Sequence, residues 1–304
     1  MKKALKWIGL VLGLLIGLML LVILAGYVLG GARLSKTYSV APEPLPPLTD
    51  EGSIERGMHW AEVLCVECHA EDLAGEVVFE DASLGTVNGS NLTTGEGGAA
   101  AEMTDQELGT AIRHGVDHDG RGLVIMPSAA YWYLGDEDLG AILAYLRHVP
   151  PVDKEWEEPE FSFIGRVLIG LGLFGNVSAA EVIDHDATRP AAPPPGPTSE
   201  YGAYLARIGG CWECHGDELN GGNSPDPASP PAPNLTPGGH LGEWSQSDFF
   251  TAMRTGIEPD GEEMDAKFMP WEGIGQMTDD ELRALWLYLQ SLPPLEDAIE
   301  EPVE

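Results

Sequence analysis

One five-residue string occurs twice in this chain and contains all of its cysteines: Cys65-Val66-Glu67-Cys68-His69 and Cys211-Trp212-Glu213-Cys214-His215. Cys-x-x-Cys-His is the attachment signal for a c-type haem. On a helix, residues i, i+3 and i+4 share one face, so the two thiols and the imidazole of each string point at the same group. The thiols would form thioether bonds to the porphyrin edge and the histidine would bind the iron. The sequence therefore predicts two covalently bound haem c groups.

Two other uses of paired cysteines fit the sequence less well. A structural zinc site usually takes two close pairs of ligands, and these pairs lie 146 residues apart. A redox-active Cys-x-x-Cys sits beside a βαβ pattern, and none is visible.

A haem of this kind often takes methionine as its second axial ligand. Met126 and Met269 are each followed by proline, and each lies about 60 residues beyond the first cysteine of its half. We predict His69 with Met126, and His215 with Met269, as the axial pairs. Met264 is a rival in the second half, whereas Met58 lies too close to its cysteines. The rivals in the first half are His114 and His118.

The haem strings belong to a longer internal repeat. Asn91-Leu92-Thr93 matches Asn234-Leu235-Thr236, and Thr110 to Gly115 matches Thr251 to Gly256. The step from the methionine to the closing Pro-Pro is 25 residues in both halves. Such self-similarity predicts two copies of one domain.

Each copy has the pattern of short helices joined by loops. Thr104 with Glu107, and Thr278 with Glu281, form capping boxes. Apolar residues at helical spacing precede Pro150-Pro151 and Pro293-Pro294, where the last helices stop. Alternating β-branched runs are few, so we expect an all-α fold and no sheet.

The order of these motifs resembles class I cytochrome c, here as a tandem dihaem form. Ile125-Met126-Pro127 and Leu134 to Leu139 further resemble the cytochrome subunits of membrane-bound dehydrogenases. The resemblance implies two domains, each wrapped on a covalent haem c. It covers most of residues 52–151 (domain 1) and 199–294 (domain 2), and it implies haem attachment outside the cytoplasmic membrane of a bacterium.

The amino-terminal part predicts a membrane anchor over residues 1–36. Three lysines precede a run from about Trp7 to Ala32 that has no charged residue and is long enough to span a bilayer. Its length and the flanking charges favour a retained transmembrane helix with the amino end in the cytoplasm. The alternative is a cleaved signal ending near Gly30-Gly31-Ala32.

The remaining segments are predicted to be connections. Residues 37–51 form a linker, and residues 152–198 form an interdomain segment that ends in a proline-rich stretch expected to be extended. Its apolar run from Val167 to Phe174 is too short to span, so it packs on a domain or lies against the membrane surface. Residues 295–304 are predicted to be a disordered acidic tail.

All 49 acidic residues follow position 36, against 11 basic residues there. This charge excludes binding of nucleic acid or anionic lipid by the soluble part. It favours either docking of a basic redox partner or plain solubility.

Together these features predict an electron carrier on the periplasmic face, and not an enzyme, within or beside a respiratory or dehydrogenase complex. The alternative is a dihaem peroxidase or a thiosulfate-oxidising enzyme. That function would need one iron with an open or exchangeable ligand, and would involve His114, His118 or His240.

Overall fold

The computed structural model describes residues 2–41, 45, 49–223 and 229–298. The predicted linker over 37–51 and the predicted tail over 295–304 fall partly outside these residues. The α-helices in chain order are α1 Lys2–Leu34, α2 Glu51–Leu64, α3 Val66–His69, α4 Ala99–Glu102, α5 Asp105–His114, α6 Ser128–Tyr131, α7 Asp136–Leu146, α8 Phe163–Gly170, α9 Ser199–Ile208, α10 Cys211–His215, α11 Gln246–Thr255, α12 Trp271–Ile274 and α13 Asp279–Ser291. Two short 3-10 helices are Ala179–Glu181 and His240–Gly242.

Two small antiparallel sheets accompany the helices. Strands β1 Val77–Asp81, β2 Gly85–Asn88 and β3 Glu160–Phe161 form one, and β4 Asn220–Gly222 and β5 Ala232–Asn234 form the other. The chain is mostly helical, as expected, but the expectation of no sheet was wrong. The strands are two to five residues long, too short to show a period-two pattern in the sequence.

Helix α1 is 33 residues long and contains an 18-residue stretch with a mean hydropathy of 3.0. Among the described residues it is the one helix long and apolar enough to cross a membrane. Most of its apolar side chains are exposed in the isolated chain, including Leu14 and Leu21. A helix with apolar side chains all round needs an apolar environment.

Each half is built on a close crossing of its first and last helices. Helix α2 crosses α7 at Gly57, where a methyl group would overlap the carbonyl oxygen of Ala141. Helix α9 crosses α13 in the same way at Gly202, against the carbonyl oxygen of Ala284. The two glycines hold equivalent positions in the repeat, so the same crossing is made twice.

Both predicted capping boxes are present, at Thr104 on α5 and at Thr278 on α13. They occupy different places in the repeat. The counterpart of Thr104 is Ser245, which forms a box with Asp248 on α11. The counterpart of Thr278 is Gly135, which caps α7 without a side chain.

The interdomain segment wraps the first half before reaching the second. Strand β3 pairs with β2, and α8 packs on α1. The proline-rich stretch has no regular structure and passes over the start of α7, where Arg189 lies 3.6 Å from Asp136.

The beginning of the predicted tail is ordered. The amide of Leu295 donates to Thr236 Oγ1 at 3.1 Å, and Asn234 Nδ2 donates to Asp297 Oδ1 at 2.9 Å. Residues 295–298 therefore belong to the second half, contrary to the expectation of disorder. The rest of the tail lies outside the described residues.

Candidate haem sites

The first attachment string forms a tight helical turn, as its spacing predicts. Cys65 ends α2, and the amide of His69 donates to the carbonyl of Cys65 at 3.0 Å. Neither cysteine of the string is in a disulfide. Burial raises the pKa of Cys65 to about 12 and that of Cys68 to about 11. Both thiols are therefore protonated, and neither is used in a disulfide.

The imidazole of His69 is oriented by a backbone carbonyl. Its Nδ1 lies 2.7 Å from the carbonyl oxygen of Ser90. A carbonyl oxygen can only accept, so Nδ1 carries the proton and Nε2 keeps its lone pair. Burial lowers the pKa of His69, which favours the neutral ring. A histidine that binds a metal characteristically has this arrangement, with the second nitrogen held by a carbonyl.

The second string repeats this geometry on α10. His215 is 5% exposed, and its Nδ1 lies 2.7 Å from the carbonyl oxygen of Pro233. Burial raises the pKa of Cys211 to about 11 and lowers that of His215. Both sets of donors thus fit a covalently attached haem, with two thiols outside any disulfide and an imidazole held through Nδ1 in each.

The two predicted methionine ligands lie in matching loops. The amide of Ser128 donates to the carbonyl of Met126 at 2.8 Å, and that of Trp271 to Met269 at 2.7 Å. Pro127 between them has φ −78° and ψ 48°, and its counterpart before Trp271 has φ −75° and ψ 57°. Both are inverse γ-turns that lead directly into a short helix. Both methionines pack against the core.

An arginine on the helix before each methionine loop is bonded to the start of the last helix of its half. Arg113 is fully buried, and its Nη2 donates to the carbonyl of Leu134 at 2.6 Å and to Asp136 at 2.8 Å. Arg254, which is exposed, donates to the carbonyl of Gly275 and to Asp279.

The repeated Asn-Leu-Thr string holds the chain beyond each Pro-Pro. Asn91 is fully buried, and its Nδ2 donates to the carbonyl of Val152 at 2.7 Å. Asn234 Nδ2 donates to the carbonyl of Leu295 at 2.9 Å. The Asn-Leu-Thr match in the sequence therefore corresponds to the same hydrogen bond, from the asparagine side chain to the chain after Pro-Pro, in both halves.

Comparison with known proteins bears on both halves. The sequence profile of the Cytochrome c family matches residues 199–293. This half of the chain is a cytochrome c domain. Membership of this family means that haem c is covalently bound.

Relatives align over most of the chain. The cytochrome c subunit of alcohol dehydrogenase (quinone) from Gluconacetobacter polyoxogenes is 27% identical over 86% of this chain and 62% of its own length. The fructose dehydrogenase cytochrome subunit of Gluconobacter japonicus is 27% identical over 83% of this chain and 55% of its own. A "Diheme cytochrome c-type" protein of Cereibacter sphaeroides is 26% identical over 91% of this chain and 97% of its own. The chain thus spans about three fifths of the length of the first of these relatives.

The structure distinguishes the two candidate methionines of the cytochrome c domain. The amide of Met264 donates to the carbonyl of Gly256 at 2.7 Å, and the amide of Leu123 donates to Gly115 at the same distance. Met264 thus stands where the first half has leucine. Met269, and not Met264, is the counterpart of Met126.

The rival histidines have other surroundings. The Nδ1 of His114 lies 3.0 Å from Nδ1 of His185. His118 lies on the surface, 3.8 Å from Asp119, and His240 is exposed. Met58 is 40% exposed on α2.

Two reciprocal hydrogen bonds join the first half to the cytochrome c domain. His59 Nε2 lies 2.8 Å from Glu281 on α13, and the hydroxyl of Tyr204 donates to Asp138 on α7 at 2.5 Å. His59 and Tyr204 each stand two residues after the crossing glycine, and both acidic residues precede a core leucine. Such pairing of equivalent residues marks an isologous interface, with approximate two-fold symmetry between the halves.

The pKa values of His59 and Glu281 are both shifted in the direction that favours the charged form. The hydrogen bond that His59 donates to Glu281 raises the pKa of His59. Burial acts to raise the pKa of Glu281, but its bonds to His59 and Thr278 outweigh burial and lower it. Asp138 is 2% exposed, and it also accepts from Trp60 Nε1 at 2.6 Å and Arg56 Nε at 2.8 Å.

The interface brings each attachment string beside the methionine loop of the other half. A methyl group on Gly273 of α12 would lie 2.8 Å from the carbonyl of Val63, and one on Gly210 would lie 3.6 Å from Ala130 of α6. Sequence analysis did not identify this interface. The sequence feature that could have identified it is the match of His59 with Tyr204 and of Asp138 with Glu281 on the crossing helices.

Proposed function

We propose that this chain is a membrane-anchored dihaem c-type cytochrome that relays single electrons on the periplasmic face of a bacterial membrane. Cys65 and Cys68 attach one haem in the first half, which is a second cytochrome c domain. Cys211 and Cys214 attach the other. The axial ligands are His69 with Met126, and His215 with Met269.

One observation carries this proposal: both attachment strings have the same geometry, with each histidine held through Nδ1 and free at Nε2. The matching methionine loops support a sixth ligand in each half. The dihaem relative, which aligns over nearly its whole length, supports a count of two.

A bound haem c supplies an iron that takes up and releases one electron. The residues of the chain do the rest. Two thioethers and a fixed imidazole restrict movement of the group, and a methionine ligand raises the reduction potential. With a histidine and a methionine both holding the iron, no position would be left for a small molecule, so the chain would carry electrons without transforming a substrate.

Electrons passing between the two haems would cross the isologous interface. The hydroxyl of Tyr131 in α6 donates to the carbonyl of Leu64 at 2.6 Å, directly before Cys65. Gly210, directly before Cys211, packs near Ala130 of the same short helix. One packed seam therefore connects the two attachment strings without intervening loops.

Helix α1 supports anchoring, and the lysines at its amino-terminal end support a cytoplasmic amino end. Residues 1–36 then form the anchor, with the membrane-spanning part at about 7–32. Residues 52–151 and 199–294 form the two domains, joined by residues 152–198.

The partners are redox proteins, within or beside a larger membrane complex. Relatives named as cytochrome subunits of alcohol, fructose and gluconate dehydrogenases support a dehydrogenase as the electron donor. The excess of acidic over basic residues after position 36 supports a basic docking face on a partner. The alternative of a peroxidase or thiosulfate-oxidising enzyme finds no support among these relatives.

Removal of one cysteine pair tests the haem count. The double variant Cys65→Ala with Cys68→Ala should retain one covalent haem, measured by intact mass and by the pyridine haemochrome spectrum. The variant Cys211→Ala with Cys214→Ala is the matched control and should also retain one. Two haems in either variant would refute the attachment scheme.

A further inference from the structure

Helix α8 is packed directly on the outer third of α1. A methyl group on Gly26 would lie 2.9 Å from the carbonyl of Val167, and one on Gly30 would overlap the carbonyl of Arg166. The rings of Tyr27 and Phe163 stack with their centroids 5.2 Å apart. Small residues that let two backbones approach this closely are typical of helix contacts within membranes.

Arg33 fixes the end of this contact. Its Nη1 donates to the carbonyl of Ile169 at 2.6 Å, and its Nη2 donates to the carbonyl of Gly175 at 2.7 Å. It also forms an ion pair of 2.6 Å with Glu181. The segment after α8 is therefore held against the end of α1 by charge-assisted bonds.

Contact with α1 leaves much of the apolar surface of this segment uncovered. Phe163 is 59% exposed, Ile164 52%, Leu171 41% and Leu173 66%. Residues 161–180 contain one charged residue, Arg166, and no acidic residue, although acidic residues are abundant in the rest of the chain after position 36. This surface continues that of α1, whose side chains are exposed in the same way. A contiguous apolar patch of this kind marks an interaction site.

Helix geometry indicates the depth of the segment. Trp7 and Tyr27 are 20 residues apart, which at 1.5 Å per residue is about 30 Å, the thickness of the hydrocarbon core. Aromatic residues at both ends of a span sit at the membrane interfaces. Tyr27 is then at the outer interface, and Phe163 stacked on it is at the same depth.

We infer that residues 163–174 lie at the outer membrane interface, with Phe163, Ile164, Leu171 and Leu173 inserted at the boundary between headgroups and acyl chains. The occupant of this surface is the phospholipid bilayer and not a protein. The inference rests on the proposed anchoring by α1, and it adds a second membrane contact.

This contact would orient the first haem half. Strand β3, directly before α8, pairs with β2, and a methyl group on Gly165 would overlap the carbonyl of Leu84. Beyond α8, the carbonyl of Val177 accepts from the amide of Ile125 at 3.2 Å, next to Met126. The methionine loop of the first half is thus tied to α8 on a short path.

Thiol accessibility in the full holoprotein tests the inference. The haem-bound cysteines are thioethers, so a single added cysteine is the only reactive thiol. Leu173→Cys and Ile164→Cys are the test variants, Leu15→Cys in α1 is the membrane reference, and Leu287→Cys on α13, 39% exposed, is the aqueous reference. Each purified chain is placed in phosphatidylcholine nanodiscs and treated with a charged maleimide, and haem content confirms folding.

Because maleimide reacts with the thiolate, which does not form in hydrocarbon, both test variants should label at least about tenfold more slowly than Leu287→Cys. Protein burial does not explain slow labelling, because Leu173 is more exposed than Leu287 in the isolated chain. Labelling of both test variants at the Leu287→Cys rate would overturn the inference and leave the anchor intact. Fast labelling of Leu15→Cys as well would overturn the anchor and the inference together.

Discussion

The ring nitrogens of His69 and His215 show how far a single residue's role could be read from the sequence. The Cys-x-x-Cys-His spacing predicts which histidine binds iron, because that spacing sets one face of a helical turn. It does not predict the carbonyls of Ser90 and Pro233, which fix the tautomer from segments 21 and 18 residues away. Those partners depend on the folding of a loop back over the string, and no local pattern encodes that.

The acidic residues at the interface were missed for a different reason. Asp138 and Glu281 stand in the first turn of a helix, where a carboxylate is expected because it complements the helix dipole. Nothing local shows that one accepts from Tyr204 and the other pairs with His59 across the halves.

The axial methionines give the sharpest prediction at this scale. Met126→Ala should lower one of the two reduction potentials by on the order of 0.1 V, because loss of the thioether ligand removes its stabilisation of the reduced iron. Potentiometric titration measures this, and covalent haem should stay at two per chain. Met269→Ala should act in the same way on the other haem.

Met264→Ala is the matched control in the second half. It removes a methionine that occupies the place of Leu123 in the repeat, so both potentials should stay unchanged. If Met264→Ala lowered a potential and Met269→Ala did not, Met264 would be the iron ligand and Met269 would not.

At the scale of elements, the helices follow from the sequence and the strands do not. Capping boxes, apolar spacing and Pro-Pro stops correctly predicted the start of α5 and the last helix of each half, α7 and α13. Strand β2 pairs with β3, which lies more than 70 residues later, and β3 has only two residues. Such strands are specified by tertiary contact and have little propensity of their own.

The crossing of α2 and α7 allows a test of one element contact. Gly57→Ala should destabilise the holoprotein by about 1–3 kcal/mol, because the added methyl group overlaps the carbonyl of Ala141. Guanidinium unfolding followed by circular dichroism measures the shift.

Gly52→Ala in the same helix is the control. Its methyl group would meet only the side chain of Asp50, at 3.3 Å, and alanine is the better helix former by about 1 kcal/mol. This variant should be neutral or more stable. Equal destabilisation by both changes would show that the crossing does not require glycine at position 57.

At the scale of the whole molecule, two halves with the same motifs were predictable, and their mutual arrangement was not. The isologous interface depends on four side chains that only tertiary structure brings together. It packs the two attachment strings against one shared contact between the halves. The segment from β3 to residue 181 links the two halves to α1.

The charge of the whole molecule predicts a salt-dependent encounter with its partner. Residues after position 36 carry 49 acidic and 11 basic side chains. Electron transfer to a small basic redox protein should therefore slow by about tenfold or more between about 10 mM and about 150 mM salt, as the Debye length falls from about 30 Å to about 8 Å. Stopped-flow absorbance measures the rate.

An uncharged redox mediator is the control, and its rate should hardly change with salt. A flat salt response with the basic protein would assign the acidic surface to solubility alone.

The most direct test of a dihaem electron carrier is an optical redox titration of the purified full chain, followed in the visible haem bands and in the weak near-infrared band of sulfur-to-iron charge transfer. We expect two haems per chain, both with the near-infrared band when oxidised and both with positive potentials. One haem that lacks the band, titrates at low potential and binds carbon monoxide would contradict six-coordinate electron transfer, and would indicate an enzyme with an open iron.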